Sequence, residues 1–402
     1  MSLRATFHRL LLPVLLPSFF SFTSIRAALI LLPLYVLDRG YDPTLAAFVI
    51  SIRGIGMLCT DVPAGFLVSK LGDKKSMILG YATTAGSLLL FAAIDHQGLF
   101  VFSALLSGAS FSIMMLARLS YISTVTEPCE RGRVIATMAS LQRIGGIVGP
   151  LGGGFIATLW GYKLALMLLA ATSLTAALFV LFFCHTIQEK KPAADHRSHH
   201  FIKTLKEHRK AFLSAGLGAL GLMGLRGASP LLIALFGAAI ELSAAKIGFF
   251  VSLTTILEFI MFVPAGYLMD HGGRKSTLIP GTLIMALSLV ILALFTNFSG
   301  FIAGALLMAF GNGLATGVIM NMGADLAPPD YRGQFLGVWR FICDIGFTGG
   351  PLFIAGLMSL VSLGISSMIL GSLSSCCALI MWVWGPETSR HKLSNPFKDS
   401  IR

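Results

Sequence analysis

Ten charged side chains interrupt the long apolar stretches of this 402-residue chain, and these side chains are the ones best placed to do chemistry. They are six arginines and four carboxylates: Arg26, Arg53, Arg118, Arg143, Arg226, Arg340, Asp61, Glu258, Asp325 and Asp344. A guanidinium group can bind a carboxylate, phosphate or sulfonate through two parallel hydrogen bonds. A buried carboxylate whose contact with an arginine changes can take up and release a proton.

The stretches around these charges are apolar enough to lie in a lipid bilayer. Hydrophobic residues make up 55% of the chain and charged residues 12%, against about 25% charged residues in a typical soluble domain. Apolar runs of about 20 residues predict an all-α polytopic membrane protein with twelve spans. Their predicted bounds are 10–37, 44–69, 77–95, 99–126, 134–160, 164–186, 211–238, 244–269, 277–296, 299–326, 334–359 and 363–385.

A charge inside such a span is costly. At the centre of a membrane helix it costs roughly 2.5–3.5 kcal/mol, so each of the ten must pair, face the protein interior or line water. The first span follows Arg4 and Arg9 as a signal peptide would, but its length and the span that follows predict a helix that is retained.

The two halves of the chain repeat one another at a shift of 201 residues. The Val-Pro-Ala-Gly run at 62–65 recurs at 263–266, and the Gly-Pro pair at 149–150 recurs at 350–351. A repeat of this length in an apolar chain predicts two pseudo-symmetric six-helix bundles, with the functional site in the cleft between them. The predicted domains are a first bundle at 1–187, a cytoplasmic linker at 188–210 and a second bundle with a short tail at 211–402.

Basic residues between the spans fall mostly on one side of the membrane. If the N-terminus lies inside, only Arg39, Lys163 and Lys246 lie outside. This bias predicts that both termini are cytoplasmic, and the expected location is a bacterial cytoplasmic (inner) membrane. It also accounts for the net charge of +12 through topology and contact with acidic lipid headgroups, without a nucleic-acid partner.

The chain lacks the usual motifs of an enzyme. It contains no HExxH, no GxSxG and no cluster of His and Cys within the spans, so we do not expect an enzyme. The histidines of the 188–210 stretch could bind a metal ion, but a linker between the bundles is the better interpretation. We expect no metal and no cofactor, with a proton gradient as the energy source.

Two loops carry a shared pattern of glycine followed by basic residues. One runs from Gly65 to Lys75 after the second span, and the other from Gly266 to Lys275 after the eighth. Both resemble the conserved loop of the major facilitator superfamily, in which an Asp follows the first Gly by four residues. Asp270 occupies that position in the second loop, whereas the first loop has Ser69 there.

The resemblance implies that these loops latch one conformation of a transporter. The family's Asp caps a neighbouring helix, which is favourable because exposed backbone N–H groups and the helix dipole stabilise a carboxylate. The first loop differs again in having Asp73 where a basic residue is usual. The residues expected to act in gating are Gly65, Gly72, Asp73, Gly266, Asp270, Gly273 and Arg274.

The fifth span carries a third motif that is similar to the family's antiporter motif. Gly145 precedes the pair Gly149 and Pro150, and a run of glycines begins at Gly152. Such residues let helices approach closely and bend, which suits a gate. Close packing of small residues without any gating role is the alternative. The chain thus resembles the twelve-helix branch of drug and organic-solute antiporters.

The resemblance also implies a substrate-binding role for three of the arginines inside the spans. In the family the first, fourth and seventh spans line a central cavity, which implies that Arg26, Arg118 and Arg226 bind substrate. The partly apolar wall around them would include Phe22 and Met115, which suits the body of an organic molecule.

Charges on other spans are expected to pair across the two bundles. In the family the second span packs against the eleventh and the fifth against the eighth, which implies ion pairs Asp61–Arg340 and Arg143–Glu258. Arg53 and Asp344 would belong to the same set. The alternative for Arg340 and Asp344, four residues apart on one helix, is that they neutralise each other.

The expected function is secondary-active transport by alternating access. Asp325, which has no evident basic neighbour in the sequence, and Glu258 are the first candidates for proton coupling, followed by Asp61. The solute is expected to be small, organic, and anionic or amphipathic, and one chain should suffice as a monomer. Proton-coupled efflux is favoured by the fifth-span motif, and proton-coupled uptake of an organic anion is the alternative.

Overall fold

The structure is a computed structural model that describes residues 10–185, 208–328 and 332–388. Every regular element in those residues is a helix. The first half contains α1 (Leu16–Asp38), α2 (Pro43–Leu71), α3 (Asp73–Ala93), α4 (Gln97–Val125), α5 (Pro128–Trp160) and α6 (Tyr162–Phe183). The second half contains α7 (Leu217–Ala239), α8 (Ala244–Ile260), α9 (Phe262–Gly272), α10 (Lys275–Leu294), α11 (Phe298–Leu314), α12 (Val318–Leu326), α13 (Arg332–Met358) and α14 (Leu363–Trp384).

These helices confirm the predicted twelve-span, all-α membrane fold. Within the described residues, eleven helical stretches are long and apolar enough to cross a membrane, and α8 with α9 forms a twelfth as a bent pair. The helix that extends furthest beyond its predicted bounds is α5, which begins at Pro128 rather than at residue 134. Its first turns contain Glu130, Arg131 and Arg133, so hydropathy marks only the apolar part of a longer helix.

The backbone keeps the 201-residue repeat in places where the side chains differ. A π-helical turn at Leu11–Leu15 precedes α1, and another at Phe212–Gly216 precedes α7. Gly40 has φ of 78° and Glu241, its repeat counterpart, has φ of 57°. Positive φ is uncommon for a residue other than glycine, so the side chain of Glu241 does not favour this conformation. We attribute it to the turn that both halves share at this position of the repeat.

The helices group into two compact units. Among the described residues, the first unit contains 10–185 together with 233–255, and the second contains 208–232 together with 256–388. The repeat alone did not predict that Ile233–Thr255 would join the first unit. The core of the first unit includes Tyr81, Met114, Ala117 and Tyr121. The predicted linker at 188–210 lies almost entirely outside the described residues.

Two spans of the second half are broken, although the sequence indicated continuous helices there. The axes of α8 and α9 meet at 41° beside Met261, and the tenth span is interrupted between α11 and α12 at Gly317, whose φ is 80°. Pro264 lacks the N–H that the carbonyl of Ile260 would accept, but Pro63 at the equivalent position lies inside the continuous helix α2, so the proline alone does not account for the first break. The equivalent spans of the first half, α2 and α4, are unbroken.

The two breaks lie next to each other within the second unit. A Cβ added to Gly313, just before the second break, would lie 2.7 Å from Cβ of Met261 and 3.1 Å from Cα of Glu258. The two irregular segments therefore pack at one place, and non-helical backbone at membrane depth is tolerated where protein buries it.

Gly317→Ala should destabilise the protein because alanine is strained in the left-handed region. We expect a loss of about 1–2 kcal/mol, measured as a lower melting temperature of the detergent-purified protein. Gly337→Ala is the matched control, since Gly337 lies inside α13 and a Cβ there meets nothing within 4 Å. Equal melting temperatures for the two variants would contradict the break at Gly317.

Candidate functional site

Arg118 is a fully buried cation in the first unit. It projects from α4, its exposed fraction is 0%, and its Nη1 donates to Oγ of Ser18 on α1 at 3.0 Å. Its Nη2 approaches the sulfur of Met115, and its guanidinium carbon lies 5.6 Å from the centre of the Phe22 ring. The Nε atom has no hydrogen-bond partner. The structure thus brings together three of the predicted substrate residues, Arg118, Phe22 and Met115.

Arg53 and Arg26 are the next two arginines of this unit. The exposed fraction of Arg53 is 9%; its Nε donates to Oγ of Ser107 at 3.4 Å and its guanidinium carbon lies 5.7 Å from the centre of the Phe111 ring. Arg26 is exposed, and its Cγ would lie 3.5 Å from a Cβ on Gly146. Among the described residues, neither Arg53 nor Arg118 forms an ion pair with a carboxylate.

Asp61 is held by a hydroxyl group rather than by an arginine. Its carboxylate makes a short hydrogen bond with Oγ of Ser112 on α4, and the same Oγ lies 3.1 Å from the carbonyl oxygen of Met57. A serine hydroxyl has one hydrogen and two lone pairs. Asp61 therefore has a neighbour that can either donate to an ionised carboxylate or accept from a protonated one.

Arg226, the third predicted substrate residue, belongs to the second unit. Its Nη2 donates to the carbonyl oxygen of Asn312 at 3.0 Å, near the break in the tenth span, and its Nε has no hydrogen-bond partner. Glu258 interacts with it electrostatically. The structure therefore places this predicted substrate residue beside one of the predicted proton-coupling residues.

Asp325 has a basic partner that the sequence did not reveal. Its carboxylate lies 2.8 Å from Nε of Arg274 at the end of the second loop motif, and both side chains are mostly buried. The expectation that Asp325 has no basic neighbour was wrong, because the contact depends on how α12 is turned towards the loop. A predicted gating residue and a predicted coupling residue form one ion pair.

Glu387 completes this cluster and was missed by the sequence analysis. Its carboxylate accepts hydrogen bonds from the backbone N–H groups of Arg274 at 2.7 Å and Lys275 at 3.3 Å, where α10 begins. A carboxylate is stabilised there by the unpaired N–H groups and the helix dipole. In the sequence, the only indication of this contact was an acidic residue just beyond the last span.

The other loop residues show a turn shared by both halves. Gly72 and Gly273 have φ of 80° and 92°, a region that favours glycine, and Asp73 is the first residue of α3. Asp270 lies 3.7 Å from Arg274 with 73% of its side chain exposed, so its interaction with Arg274 is weak. A Cβ at Gly65 would lie 3.9 Å from its nearest neighbour, on Leu116, and a Cβ at Gly266 would have no neighbour within 4 Å, so neither position requires glycine for space. The latch role of these loops stays a prediction.

Arg340 and Asp344 are close enough to neutralise each other. Nε of Arg340 lies 3.4 Å from the carboxylate of Asp344, one turn along α13. This contact is the local alternative that the sequence left open. The pairs Asp61–Arg340 and Arg143–Glu258 would join residues of different units, and they stay predictions.

The fifth-span motif gives α5 two faces of small residues. Along one face, a Cβ at Gly145 or Gly149 would collide with backbone atoms of Phe19 and Thr23 on α1. Along the other, a Cβ at Gly154 would collide with the backbone of Ala244, and a Cβ at Gly248 with that of Pro150. Each face requires glycine because the partner is backbone, which cannot move aside as a flexible side chain can.

Hydrogen bonds strengthen the second of these faces. Oγ of Ser252 donates to the carbonyl oxygen of Ile147 at 2.7 Å, and the N–H of Ala245 donates to Oγ of Thr158 at 2.8 Å. These contacts explain why Ile233–Thr255 groups with the first unit.

Comparisons with known proteins agree with this architecture. A family model described as Major Facilitator Superfamily matches residues 14–239 and 211–400. The chain belongs to the Major Facilitator Superfamily. It is therefore an integral, multi-pass membrane protein of a transporter family, as the loop and fifth-span motifs predicted.

Relatives within the Major Facilitator Superfamily include multidrug resistance proteins. The chain is 29% identical to "Multidrug resistance protein 2" of Bacillus subtilis (strain 168) over 192 residues, which are 47% of this chain and 48% of that relative. This match thus spans about half the length of the relative. The chain is 20% identical over 353 residues to "Multidrug resistance protein MdtH" of Yersinia pestis (strain Pestoides F), covering 82% of this chain and 86% of the relative.

Solved structures of the Major Facilitator Superfamily fold are also similar. A crystal structure of the nucleoside transporter NupG has a TM-score of 0.77 at 15% identity and covers 96% of this chain and 99% of that one. A POT family transporter in complex with 5-aminolevulinic acid has a TM-score of 0.75 at 13% identity, covering 94% and 95%. At these identities the likeness shows the fold alone.

Substituting the glycines of α5 should destabilise the protein through both faces. We expect Gly149→Ala and Gly154→Ala each to cost about 1–3 kcal/mol, because the added methyl group meets backbone. The melting temperature of the purified protein measures this effect. Gly152→Ala is the control, since a Cβ there meets nothing within 4 Å. If Gly152→Ala destabilises the protein as much as the other two, the assigned faces are wrong.

Removing the charge of Asp325 should leave Arg274 without its close partner. We expect Asp325→Asn to cost about 3 kcal/mol, because a mostly buried guanidinium loses its carboxylate. Asp270→Asn, which changes the exposed neighbour of the same arginine, should change stability by less than about 0.5 kcal/mol. Thermal unfolding of the two variants tests the pair, and equal effects would show that Arg274 does not depend on Asp325.

Proposed function

We propose that this protein exports a small organic solute, anionic or amphipathic, from a bacterial cell by alternating access, in exchange for protons. In this proposal one chain acts as a monomer in the cytoplasmic membrane, and the first unit supplies the main contacts with the solute.

One observation carries the proposal: the interior of the first unit contains more positive than negative charge. Away from the ends of α1 to α5, the charged residues are Arg26, Arg53, Arg118 and Arg143 against the single carboxylate Asp61. Arg53 and Arg118 are buried and form no ion pair among the described residues, and Asp61 is engaged by Ser112. A charge in a membrane interior is costly unless it is compensated. An anionic solute would lower this cost, and a cationic one would raise it.

Export is supported by the relatives and by α5. Two of the relatives carry names that describe multidrug resistance, and α5 contains the glycine pattern that resembles an antiporter motif. The close contact of α5 with residues 244–252 is the kind of small-residue interface that can open and close without large side-chain rearrangement.

Proton exchange is supported by the surroundings of Asp61. When Asp61 is protonated, it can donate to Oγ of Ser112, which can then donate to the carbonyl oxygen of Met57. When Asp61 is ionised, the serine hydrogen can turn towards the carboxylate instead. Rotation of one hydroxyl group therefore serves both protonation states, which makes Asp61 the coupling residue best supported by contacts.

The test is transport in proteoliposomes with an imposed pH gradient. Naphthalenesulfonate is a suitable solute because it stays ionised and does not carry protons across the lipid as a neutral acid. Lumenal pH is recorded with a trapped dye, and valinomycin with potassium clamps the membrane potential. Antiport predicts that lumenal pH rises as the sulfonate enters an acidic lumen, whereas symport predicts that it falls.

Asp61→Asn should separate proton movement from solute movement. We expect this variant to lose the proton signal but still to exchange labelled sulfonate for unlabelled sulfonate, because the solute contacts remain. Asp95→Asn is the matched control, since Asp95 lies between α3 and α4 and pairs with Arg39 at 3.2 Å. A proton signal that survives in Asp61→Asn would exclude Asp61 as the coupling residue. Transport of the lipophilic cation tetraphenylphosphonium without transport of sulfonate would overturn the proposed anionic solute.

A further inference from the structure

Four side chains of the first unit form a continuous row in which a pair of aromatic rings lies between two cations. Arg118 lies over Phe22 at 5.6 Å, the Phe22 and Phe111 rings meet edge to face at 6.3 Å, and Arg53 lies over Phe111 at 5.7 Å. We call these four residues the cation–π ladder. It links α1, α2 and α4, so it depends on tertiary packing and not on any one helix.

The charges of the ladder are buried, whereas its rings are partly exposed. Arg118 and Arg53 have exposed fractions of 0% and 9%, and Phe22 and Phe111 are intermediate. A molecule that reaches the ladder would therefore contact the two rings before the two arginines. Phe22 and the exposed Arg26 are four residues apart on α1, so they are neighbours on one helical face.

A cation behind an aromatic ring changes what the ring prefers on its other face. The face of a benzene ring is negative and attracts cations, which is why the arginines occupy it. Once one face is occupied by a guanidinium, its positive potential reaches the opposite face. That face then repels a second cation and accepts an electron-rich ring or an anion.

The hydrogen bonds of Arg118 support the need for an acceptor. A guanidinium has five N–H donors, and its neighbours in the structure are Oγ of Ser18, the weakly accepting sulfur of Met115 and the Tyr81 side chain, all without negative charge, while Nε has no hydrogen-bond partner. The cation is thus held by weak acceptors, and the surrounding potential stays positive.

We propose that the cation–π ladder makes this protein selective for aromatic anions: planar rings that carry a carboxylate or sulfonate group. The ring packs on Phe22 and Phe111, and the anionic group is held by the positive potential of Arg53 and Arg118 with Arg26 beside it. This inference rests on the proposed function and narrows its solute class. It also distinguishes the protein from a transporter of lipophilic cations, whose charge the ladder repels.

Three probes of similar shape separate the contributions of ring and charge. Naphthalenesulfonate has both, decahydronaphthalenesulfonate keeps the charge without the aromatic ring, and naphthylmethylammonium keeps the ring with the opposite charge. Binding is measured by equilibrium dialysis on the full chain in nanodiscs, with empty nanodiscs to subtract lipid partition. We expect naphthalenesulfonate to bind about threefold or more tighter than its saturated analogue and the amine to bind most weakly.

Variants of the cation–π ladder should separate the preference for an aromatic ring from the preference for a negative charge. Phe22→Leu and Phe111→Leu should abolish the preference for the aromatic sulfonate over the saturated one, because they keep apolar volume but remove the ring. Phe20→Leu is the control, since Phe20 lies on the same helix but stacks on Phe179 at 5.9 Å. Arg118→Met should weaken both sulfonates about tenfold, whereas Lys163→Met, a change at an exposed cation of α6, should not.

The outcomes distinguish this inference from the proposed function. If both sulfonates bind equally, or if Phe22→Leu keeps the preference, anion transport stands and the ladder does not select aromatic solutes. If neither sulfonate binds while the amine does, the proposed anionic solute itself is wrong. Should Arg118→Met not fold, the two Phe→Leu variants still decide the inference, because they leave every charge in place.

Discussion

A guanidinium group inside a bilayer keeps its charge and must find acceptors within the protein, and the two halves of this chain meet that constraint differently. In the second half, Arg274 binds Asp325, Arg340 lies beside Asp344, and Arg226 donates to the carbonyl oxygen of Asn312. In the first half, Arg53 and Arg118 rely on serine hydroxyls, a thioether and the faces of aromatic rings. Those acceptors are weaker than carboxylates and carry no negative charge, so positive potential remains around Arg53 and Arg118.

The same asymmetry appears when the repeat is followed residue by residue. Counterparts 201 residues on from the ladder residues Phe22, Arg53, Phe111 and Arg118 are Met223, Thr254, Asn312 and Ile319. In the other direction, Asp270, Arg274 and Asp325 correspond to Ser69, Asp73 and Thr124. The two halves therefore share a backbone arrangement but carry their charged residues at different positions of the repeat. In the proposed function, the first half would bind the solute, whereas the second half contains the ion pairs Arg274–Asp325 and Arg340–Asp344 and the two interrupted spans.

The sequence predicted the fold well because a bilayer imposes simple rules on composition and length. It also identified the charges inside the spans, since a single arginine such as Arg118 stands out in an apolar run. The sequence alone could not show which of these charged residues form ion pairs with one another. The contact between Asp325 and Arg274 depends on the rotation of α12, and Glu387 lies beyond the last span, where a charge is ordinary. The sequence analysis missed the break at Gly317 because hydropathy is averaged over many residues. The break depends on the backbone dihedral angle of a single residue, which such an average does not detect.

The two faces of α5 connect α1, which contains Phe22, to the segment Ile233–Thr255 of the second half. Gly145 and Gly149 pack against the backbone of α1 at Phe19 and Thr23, next to Phe22. Gly154 and Pro150 pack against Ala244 and Gly248. Contacts between backbones transmit displacement because they cannot be absorbed by a change of rotamer. A shift of the Ile233–Thr255 segment would therefore move α5, and α5 would move the Phe22 end of the cation–π ladder. Since Arg118 is anchored on α4 instead, such a movement would change the ring-to-cation distance, and with it the affinity for an anion. In the proposed function, a change at one helix interface would thereby alter how tightly the solute is held.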